Sequence, residues 1–339
     1  MMKISFIVVA YNAAQCLGDL LGDLLRQTLP ATQLEAILVD SASTDDTAGV
    51  MRRFAANAPF PVKVLLNPRR WLASGINVAL GAATGDAIIR VDAHARIPED
   101  FLEKSLNALE DGEMIVGGRV EGGKPNTDWE AVMRALDTSR FCGGAAPFRN
   151  GGEERYVDTL AYALYRREVY DRVGLYDERL RRTEDNDMHY RMRCAGYRFR
   201  YCPQIVSYHS ARPTLRGLLR QKWGNGYWIG RTMRIQPRCF APRHLIPALF
   251  VLALAGALLL AAFGTLMSAP VASLPLTLLL CAYALCDVFF AVQAAWRQTR
   301  GRILCLPCLP VLFPAVHIVY GVGTIAGLLS VPKGSDPAA

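Results

Sequence analysis

The sequence lacks the short motifs that would point to zinc, redox or glycine-loop nucleotide chemistry. Its nine cysteines are scattered, and the one CxxC pair, Cys305 and Cys308, encloses Leu-Pro inside an apolar run, so reduced thiols in a cytosol-facing protein are expected. No GxGxxG turn follows the first predicted strand, and no GxxxxGKS/T loop occurs. Any bound nucleotide would therefore be held by carboxylate side chains and a metal ion rather than by a glycine cradle.

A secretory signal and long apolar runs are also missing from the first two thirds of the 339 residues. The opening stretch MMKISFIVVAYN has one lysine and a short β-branched run, which predicts a first strand and not the helix of a signal peptide. The hydrophobic fraction of 52% is uneven, and apolar runs appear from about Leu245 onward. We therefore expect a globular part followed by an apolar part.

Three apolar segments near the C-terminus are long enough to cross a membrane. Each has the roughly 20 apolar residues that about 30 Å of hydrocarbon requires; they are Ile246–Met267, Ala272–Gln293 and Leu304–Leu329. Asp287 and His317 lie within the second and third segments, at a depth where ionisable groups usually face other helices or a polar cavity. We interpret them as partners in packed intramembrane hydrogen bonds, with binding of a lipid carrier as the alternative.

The positive charge of the chain favours a membrane surface as its partner. The net charge is +8, and basic residues concentrate between Arg155 and Arg243, directly before the apolar part. Nucleic acid and anionic lipid both suit such a patch, but the adjacent apolar segments favour membrane lipids and no nucleic acid. The stretch PTLRGLLRQKWGNGYWIGRTMR, from Pro213 to Arg234, predicts one or two interfacial helices that lie on the membrane.

Basic residues in short loops predict the orientation and the division of the chain. Arginines precede the first apolar segment and separate the second from the third, whereas SAPVAS and VPKGSDPAA hold a single lysine. This asymmetry predicts a multi-pass protein of the inner (plasma) membrane whose N-terminal domain is cytoplasmic. The predicted parts are a globular domain over 1–212, an amphipathic interfacial segment over 213–244, transmembrane helices over 245–330 and a tail over 331–339.

The globular part reads as alternating strands and helices. The predicted strands are ISFIVVAYN, LEAILVD, VKVLLNP and DAIIRVDAH, and the predicted helices are AAQCLGDLLGDLLRQTL, Asp45–Ala55 with a cap from Ser43 or Thr44, and LASGINVALGAAT. This order predicts an α/β fold with a parallel, doubly wound sheet whose ligands bind beyond the carboxyl ends of the strands. Asp40 and Asp92 are predicted at such ends, on neighbouring strands, although aspartates there can also be simple turn residues.

Several stretches together resemble one enzyme family. FIVVAYNAAQCLGDLLGDLLRQT, EAILVDSASTDDT, NPRRWLASGINVALGAATGDAIIRVDAH, RTEDNDMHYRMRCAGYRFRYCP and VSYH occur in this order. Over roughly Ile4 to Arg231 the chain resembles family 2 glycosyltransferases with the GT-A fold, and its DAHA variant and three apolar segments are similar to the ExoA-like subgroup of succinoglycan-type exopolysaccharide synthesis. The resemblance implies a Rossmann-like, mostly parallel GT-A sheet and a hexosyltransferase.

The resemblance also implies where the sugar nucleotide binds. Asp40 should hold the base or ribose of a UDP-sugar by accepting two hydrogen bonds. Ala10, Tyr11 and Asn12 should border the same base. Three arginines stand where they could contact the diphosphate; they are Arg69, Arg70 and Arg90, although most arginines of the chain are expected on solvated faces or against lipid head groups.

A metal site is implied at Asp92, which stands where the family's DxD motif begins. Its carboxylate would bind Mg²⁺ or Mn²⁺ that bridges the donor diphosphate. His94 departs from DxD; a DxH motif is similar to that of the polypeptide N-acetylgalactosaminyltransferases, and imidazole suits Mn²⁺ better than Mg²⁺. His209 in VSYHS is the expected third ligand. The alternative for His94 is a turn histidine with a local hydrogen bond, and His209 can likewise be structural.

The stretch RRTEDNDMHYR matches the family's acceptor-site ED motif. The resemblance implies Asp185 as the general base and Glu184 and Asp187 as supporting residues. Inverting transfer needs one carboxylate to take the proton of the acceptor hydroxyl while that oxygen attacks the anomeric carbon. The alternative is a helix start whose acids form salt bridges with nearby arginines, since helix starts favour acids.

These features predict a transferase that adds one sugar rather than a polymerase. The QxxRW motif of processive synthases is absent, and three apolar segments are few for a polysaccharide channel. The expected reaction moves a hexose from a UDP-sugar to a polyprenyl-diphosphate-linked saccharide, in association with a polysaccharide assembly complex. The alternatives are a polyprenyl-phosphate hexosyltransferase and a non-enzymatic, membrane-tethered scaffold that binds sugar nucleotides.

Overall fold

The computed structural model describes residues 1–123, 125–142, 147–149, 151–209 and 214–330. Their contacts form two compact units. The sheet unit contains Met1–Gly123 and the described part of Ala146–Ser210. The helical unit contains the described parts of Lys124–Ala145 and Ala211–Gly334. The predicted tail, 331–339, lies outside the described residues.

The described residues contain nine strands and eleven α-helices, besides short 3₁₀ helices and connecting loops. The strands are β1 Ile4–Ala10, β2 Leu34–Asp40, β3 Val62–Leu66, β4 Ala87–Arg90, β5 Ala95–Arg96, β6 Ile115–Gly122, β7 Arg155–Val157, β8 Leu164–Arg166 and β9 Phe199–His209. The helices are α1 Ala14–Leu25, α2 Thr47–Asn57, α3 Leu72–Ala82, α4 Phe101–Glu110, α5 Asp128–Thr138, α6 Arg167–Val173, α7 Glu184–Cys194, α8 Leu215–Thr232, α9 Ile246–Leu266, α10 Leu274–Trp296 and α11 Arg302–Leu329.

The sheet has the order β3-β2-β1-β4-β8-β6-β9-β5, and β7 pairs with β9. The first four strands in this order are parallel, as the alternation of strands and helices predicts. From β8 onward antiparallel pairs enter, so the sheet is mixed. Because β1 lies between β2 and β4, the ends that carry Asp40 and Asp92 are not on neighbouring strands, and that expectation was wrong.

The parallel half of the sheet is covered on both faces, which explains its apolar sequences. Every residue of β2 is buried, and so are all but one of β1, as is usual for parallel strands with helices on both sides. The amphipathic helix α1 buries the apolar face that its leucine spacing predicts, with Leu17, Leu20, Leu21 and Leu24 in the core.

The helix after β2 differs from its prediction. It begins at Thr47 rather than Asp45, and neither Ser43 nor Thr44 caps it. Both residues contact Asn12 instead: Ser43 Oγ accepts the N–H of Asn12 at 2.9 Å, and the N–H of Thr44 donates to Asn12 Oδ1 at 2.8 Å. The cap is absent because this turn bonds across to the end of β1.

The three apolar segments form α9, α10 and α11, each long and apolar enough to cross a membrane. The predicted interfacial stretch is a single helix, α8, that packs along α11. The contact is close because glycines face it: a Cβ on Gly226 would lie 2.2 Å from Tyr320 O, and one on Gly230 equally close to Thr324 O. Helix α5 also belongs to this unit, which the sequence did not indicate.

Polar groups in the helical unit are packed against one another. His317 Nε2 lies 2.7 Å from Phe141 O and its Nδ1 lies 2.9 Å from the hydroxyl of Tyr283, so this histidine faces other helices as expected. The Asp287 side chain is buried, and its Oδ1 has no hydrogen-bond partner among the described residues. Lys222 donates to Asp137 Oδ1 at 2.9 Å and to Cys142 O at 3.1 Å.

The pairing of β6 with β9 depends on Gly118, where the register of the two strands shifts. A Cβ on Gly118 would lie 1.9 Å from the carbonyl oxygen of Ile205, which is backbone and has no room to move aside. Gly118→Ala should therefore lower the stability of the sheet unit by about 1–3 kcal/mol, the usual cost of overpacking. Thermal unfolding of the detergent-solubilised protein measures this as a lower apparent Tm.

Gly18→Ala is the matched control, because Gly18 is in the exposed face of α1 and a Cβ there meets nothing within 4 Å. Alanine is favoured over glycine in helices, so this variant should keep or slightly raise the Tm. Equal Tm values for the two variants would contradict the close approach of β6 and β9.

Candidate active site

Three residues from two distant parts of the chain meet at one corner of the sheet unit. His209 is the last residue of β9, and antiparallel pairing places it opposite Ala95 in β5. Asp92 and His94 lie in the turn between β4 and β5. One ligand atom from each of the three side chains lies within 4.8 Å of the other two. The structure thus brings together all three residues that the sequence resemblance implies as metal ligands.

The donor set of this cluster fits a borderline divalent cation. It offers one carboxylate oxygen and two imidazole nitrogens, and divalent metal ions in proteins bind ligands of both types. The rings of His94 and His209 meet edge-on with 4.7 Å between centroids, so the two nitrogens can approach one point. His94 is exposed and the other two are half-buried, which leaves one side of the cluster open to a ligand.

A tyrosine that the sequence analysis did not single out touches two members of the cluster. The hydroxyl of Tyr162 donates to Asp92 Oδ2 at 3.1 Å and lies 3.3 Å from His209 Nδ1. Tyr162 has a left-handed backbone conformation, φ 51°, which is unusual for a bulky side chain. Burial and the charge of Asp92 raise the pKa of Tyr162, so its hydroxyl keeps its proton. Nothing in the sequence marks this tyrosine, because the short strand β8 that follows it was not predicted.

A largely buried arginine, with 14% of its side chain exposed, joins the cluster to the ED motif. Arg90, the last residue of β4, donates from Nη2 to Asp185 Oδ2 at 2.8 Å, and its Nη1 lies 3.6 Å from Asp92 Oδ1. Burial opposes the charge of this guanidinium, but Asp185 and Asp92 outweigh it and hold the pKa of Arg90 above its ordinary value. The sequence suggested Arg90 as a diphosphate contact; the structure places it between two carboxylates.

The same arginine keeps Asp92 ionised. Burial alone would raise the pKa of Asp92, but Arg90 and the two histidines of the cluster more than offset this, and the pKa is lowered. An ionised carboxylate can only accept hydrogen bonds or bind cations, which is the state that a metal ligand requires.

Asp185 and Glu184 begin α7, and the fold gives them different surroundings. The Asp185 side chain is 40% exposed beside Arg90, whereas Glu184 is buried and its Oε2 has no hydrogen-bond partner among the described residues. Burial and the charge of Asp185 raise the pKa of Glu184 to about 7, although Arg90 acts in the opposite direction. Asp187 forms an ion pair with Arg191 one turn later, at 2.8 Å, a contact that the alternative of a salt-bridged helix start also predicts.

A neutral histidine fixes α7 to the sheet unit. His189 Nδ1 lies 2.8 Å from Thr159 Oγ1, and its Nε2 lies 2.8 Å from the hydroxyl of Tyr165 in β8. Burial lowers the pKa of His189 to about 4, so the ring is neutral near pH 7. These two hydrogen bonds of His189 therefore hold α7, the helix that carries Asp185, against β8 and the residues just before it.

The expected nucleotide residues lie at the ends of two adjacent strands. Ala10 and Asp40 end β1 and β2 and are partners in the parallel register. Asp40 is buried and accepts the N–H of Ser43 at 3.2 Å, while Tyr11 is 50% exposed. Asn12 follows in a left-handed conformation, φ 49°. The structure therefore brings Ala10, Tyr11, Asn12 and Asp40 together at one end of the sheet.

The two arginines that are predicted to contact the diphosphate follow β3. Arg69 forms an ion pair with Glu178, which also accepts Asn77 Nδ2 at 3.0 Å. Arg70 lies in the turn before α3 with φ 64°. The segment that leads to α7 is thus tied to the β3–α3 loop.

Comparisons with known proteins identify the family. The profile described as "Glycosyl transferase family 2" matches residues 5–174, about half of the chain. The chain belongs to glycosyl transferase family 2. Among curated relatives of this glycosyltransferase, the "Succinoglycan biosynthesis protein ExoA" of Rhizobium meliloti is 30% identical over 207 residues, which cover 60% of this chain and 62% of that protein.

More distant similarities cover comparable stretches. A "Poly-beta-1,6-N-acetyl-D-glucosamine synthase" of Staphylococcus aureus is 24% identical over 237 residues, 66% of this glycosyltransferase and 54% of the synthase. The match spans less than two thirds of the length of either curated relative. A solved structure, "Mannosyltransferase PcManGT from Pyrobaculum calidifontis in complex with GDP-Man and Mn2+", has a TM-score of 0.60 at 22% identity and covers 97% of this chain and 87% of that one. The expected GT-A fold is thereby confirmed.

The raised pKa of Glu184 predicts a pH dependence of stability. The folded state keeps the proton up to about pH 7, whereas the ordinary value for a glutamate is 4.5, so between these values the folded state binds a proton that the unfolded state releases. Stability therefore falls as pH rises through this window, by an amount on the order of 1–3 kcal/mol. Glu184→Gln, which mimics the protonated acid, should remove this loss; Tm measured from about pH 5 to pH 8 would check it.

The control for this measurement is Glu168→Gln in α6, because Glu168 is exposed. Because His189, with its lowered pKa, acts in the opposite direction below about pH 6.5, the comparison between proteins is the readout: wild type and this control should follow one curve, and the Tm of the Glu184 variant should rise relative to both as pH increases. Parallel pH curves for all three proteins would contradict the buried, proton-retaining environment of Glu184.

Proposed function

We propose that this glycosyltransferase is an inverting, divalent-metal-dependent enzyme. It moves one hexose from a UDP-sugar to a polyprenyl-diphosphate-linked saccharide during exopolysaccharide synthesis, at the cytoplasmic face of the inner membrane. The observation that carries the proposal is the juxtaposition of the Asp92, His94 and His209 cluster with Asp185 through Arg90. A metal-ligand set and a partly exposed carboxylate near it are what a single displacement at an anomeric carbon requires.

In this proposal Asp92, His94 and His209 hold the cation, Mn²⁺ or Mg²⁺. When bound, the cation would neutralise the charge that develops on the departing diphosphate. At the other end of the donor, Asp40 accepts hydrogen bonds from the ribose or base of UDP. Tyr11, which is 50% exposed, is available to stack on the base.

Asp185 is the proposed general base. The acceptor hydroxyl oxygen attacks the anomeric carbon, the bond from that carbon to the UDP oxygen breaks, and Asp185 takes the hydroxyl proton. Arg90 holds Asp185 by Oδ2 and thereby orients it, while 40% of the side chain stays exposed. Beside it lies a small cavity of about 10 Å³, room for about one water molecule; its walls include Arg90, Tyr162, Tyr165, Tyr176, Asp185 and His189.

The lipid-linked acceptor is inferred from the helical unit and from the curated relative. Three helices suited to crossing a membrane follow a segment with many arginines, which favours an acceptor held at the membrane surface and a cytoplasmic catalytic domain. The relative at 30% identity is described by its part in succinoglycan biosynthesis. A complex with other polysaccharide-assembly proteins belongs to the same proposal.

The direct test is transfer from UDP-hexose to lipid acceptors by the full chain in detergent or nanodiscs. We expect Asp185→Asn to lower kcat by a factor of about 10²–10⁴, the usual contribution of a general base, while UDP binding persists. Asp171→Asn in α6 is the matched control, because Asp171 is exposed and lies outside the cluster. Unchanged turnover by Asp185→Asn would remove that residue as the base.

The acceptor is tested in the same assay with two lipids. Activity with a lipid-linked saccharide and none with bare polyprenyl phosphate supports the proposal. The reverse preference would assign the chain to the polyprenyl-phosphate hexosyltransferases, and UDP binding without any turnover would favour a scaffold. Excess chelator should abolish turnover, and undiminished activity in its presence would contradict the metal-dependent mechanism.

A further inference from the structure

Tyr162 lies outside the family motifs, and its hydroxyl contacts the proposed metal site directly. Its hydroxyl contacts two of the three proposed ligands, Asp92 at 3.1 Å and His209 at 3.3 Å. These ligands come from different strands, since Asp92 follows β4 and His209 ends β9. A single hydroxyl therefore joins two separately positioned ligands.

The fold places this hydroxyl by antiparallel pairing and an unusual backbone conformation. Strand β8 pairs with β4, and the last pair before Asp92 is Ile89 with Leu164. Tyr162 lies two residues before Leu164, so it continues this register towards the residues that follow β4. Its φ of 51° costs on the order of 1–2 kcal/mol for a residue with a side chain. Strain of this kind tends to persist where a side chain has a specific task.

For each of the two hydrogen bonds of Tyr162, the donor and the acceptor can be assigned. A tyrosine hydroxyl has one proton, and an ionised carboxylate can only accept, so the proton of Tyr162 points to Asp92. Toward His209 the phenol oxygen must then be the acceptor, which requires a proton on His209 Nδ1. In a neutral imidazole the lone pair is consequently on Nε2, the nitrogen that can ligate a cation.

We propose that Tyr162 is a positioning residue of the metal site, which sets the tautomer of His209 and the orientation of Asp92 so that both present their ligand atoms to one divalent cation. The proposal rests on the metal site of the proposed function. Residues that hydrogen-bond to metal ligands generally orient them, and the loss of such a residue weakens metal binding by a factor of about 10–100. Tyr162 would bind no metal and no substrate through this hydroxyl.

The test compares Tyr162→Phe with Tyr165→Phe in the full chain. Both variants remove one hydroxyl from a buried tyrosine, but that of Tyr165 contacts His189 and not the cluster. Mn²⁺ alone is titrated without nucleotide, and electron paramagnetic resonance measures the free ion. We expect wild type and Tyr165→Phe to bind Mn²⁺ with equal affinity, and Tyr162→Phe to bind it about 10–100-fold more weakly.

A second readout follows the tautomer without any metal. The chain has five histidines, so ¹⁵N-histidine labelling gives few signals, and His209→Gln assigns one of them. At about pH 8, where imidazole is neutral, His209 should be protonated on Nδ1 in wild type and in Tyr165→Phe. Tyr162→Phe should shift it toward the Nε2–H form. A purely structural tyrosine would not change this ratio.

The outcomes separate the two proposals. If wild type binds Mn²⁺ and Tyr162→Phe matches it in affinity and tautomer, the role of Tyr162 is overturned while the metal site stands. If wild type itself binds no Mn²⁺, the metal site of the proposed function fails, and the role of Tyr162 fails with it. Weaker binding together with the tautomer shift, in this variant alone, supports the inference.

Discussion

A buried guanidinium between two carboxylates is the interaction on which the rest of this site depends. Arg90 lies at the end of β4, and without it Asp92 and Asp185 would be two like charges in a poorly solvated corner of the sheet unit. Removing the charge of Arg90 would leave the two carboxylates, which are 30% and 40% exposed, without their shared counterion. The pair also spans 95 positions of sequence, so it fixes α7 relative to the turn after β4. The side chain of Arg90 thus links the proposed metal ligand Asp92 to the proposed base Asp185.

The remaining site residues are positioned by the half of the sheet that is not parallel. Strand β8 brings Tyr162 to the end of β4, and the antiparallel pairing of β9 with β5 places His209 opposite Ala95, beside the turn that carries Asp92 and His94. The parallel half holds the nucleotide residues at the ends of β1 and β2. The nucleotide residues and His209 thus lie on different halves of one sheet, and Asp92, after β4, lies between them.

Local patterns predicted the elements well and their lateral order poorly. The alternation of apolar runs and amphipathic segments predicted β1 to β4 and the helices between them, because periodicity reports burial directly. It did not report that β1 separates β2 from β4, since strand order is decided by crossovers and not by local sequence.

The start of α2 was misplaced because Ser43 and Thr44 bond to Asn12, which is far away in sequence. Tyr162 had no signal, because a loop tyrosine with positive φ resembles any other loop tyrosine. Asp92, His94, His209 and Asp185 were found through the family resemblance, and the structure brings them together.

The central claim is that one divalent cation lies between Asp92, His94 and His209 while Asp185 faces the sugar that is transferred. A crystal structure with Mn²⁺ and an unreactive UDP-sugar analogue, with the ion located by its anomalous scattering, tests this most directly. The account predicts one strong peak within bonding distance of all three side chains and of the diphosphate, with Asp185 on the opposite side of the anomeric carbon. A peak elsewhere, or an Asp185 that is turned away from the bound sugar, would contradict it.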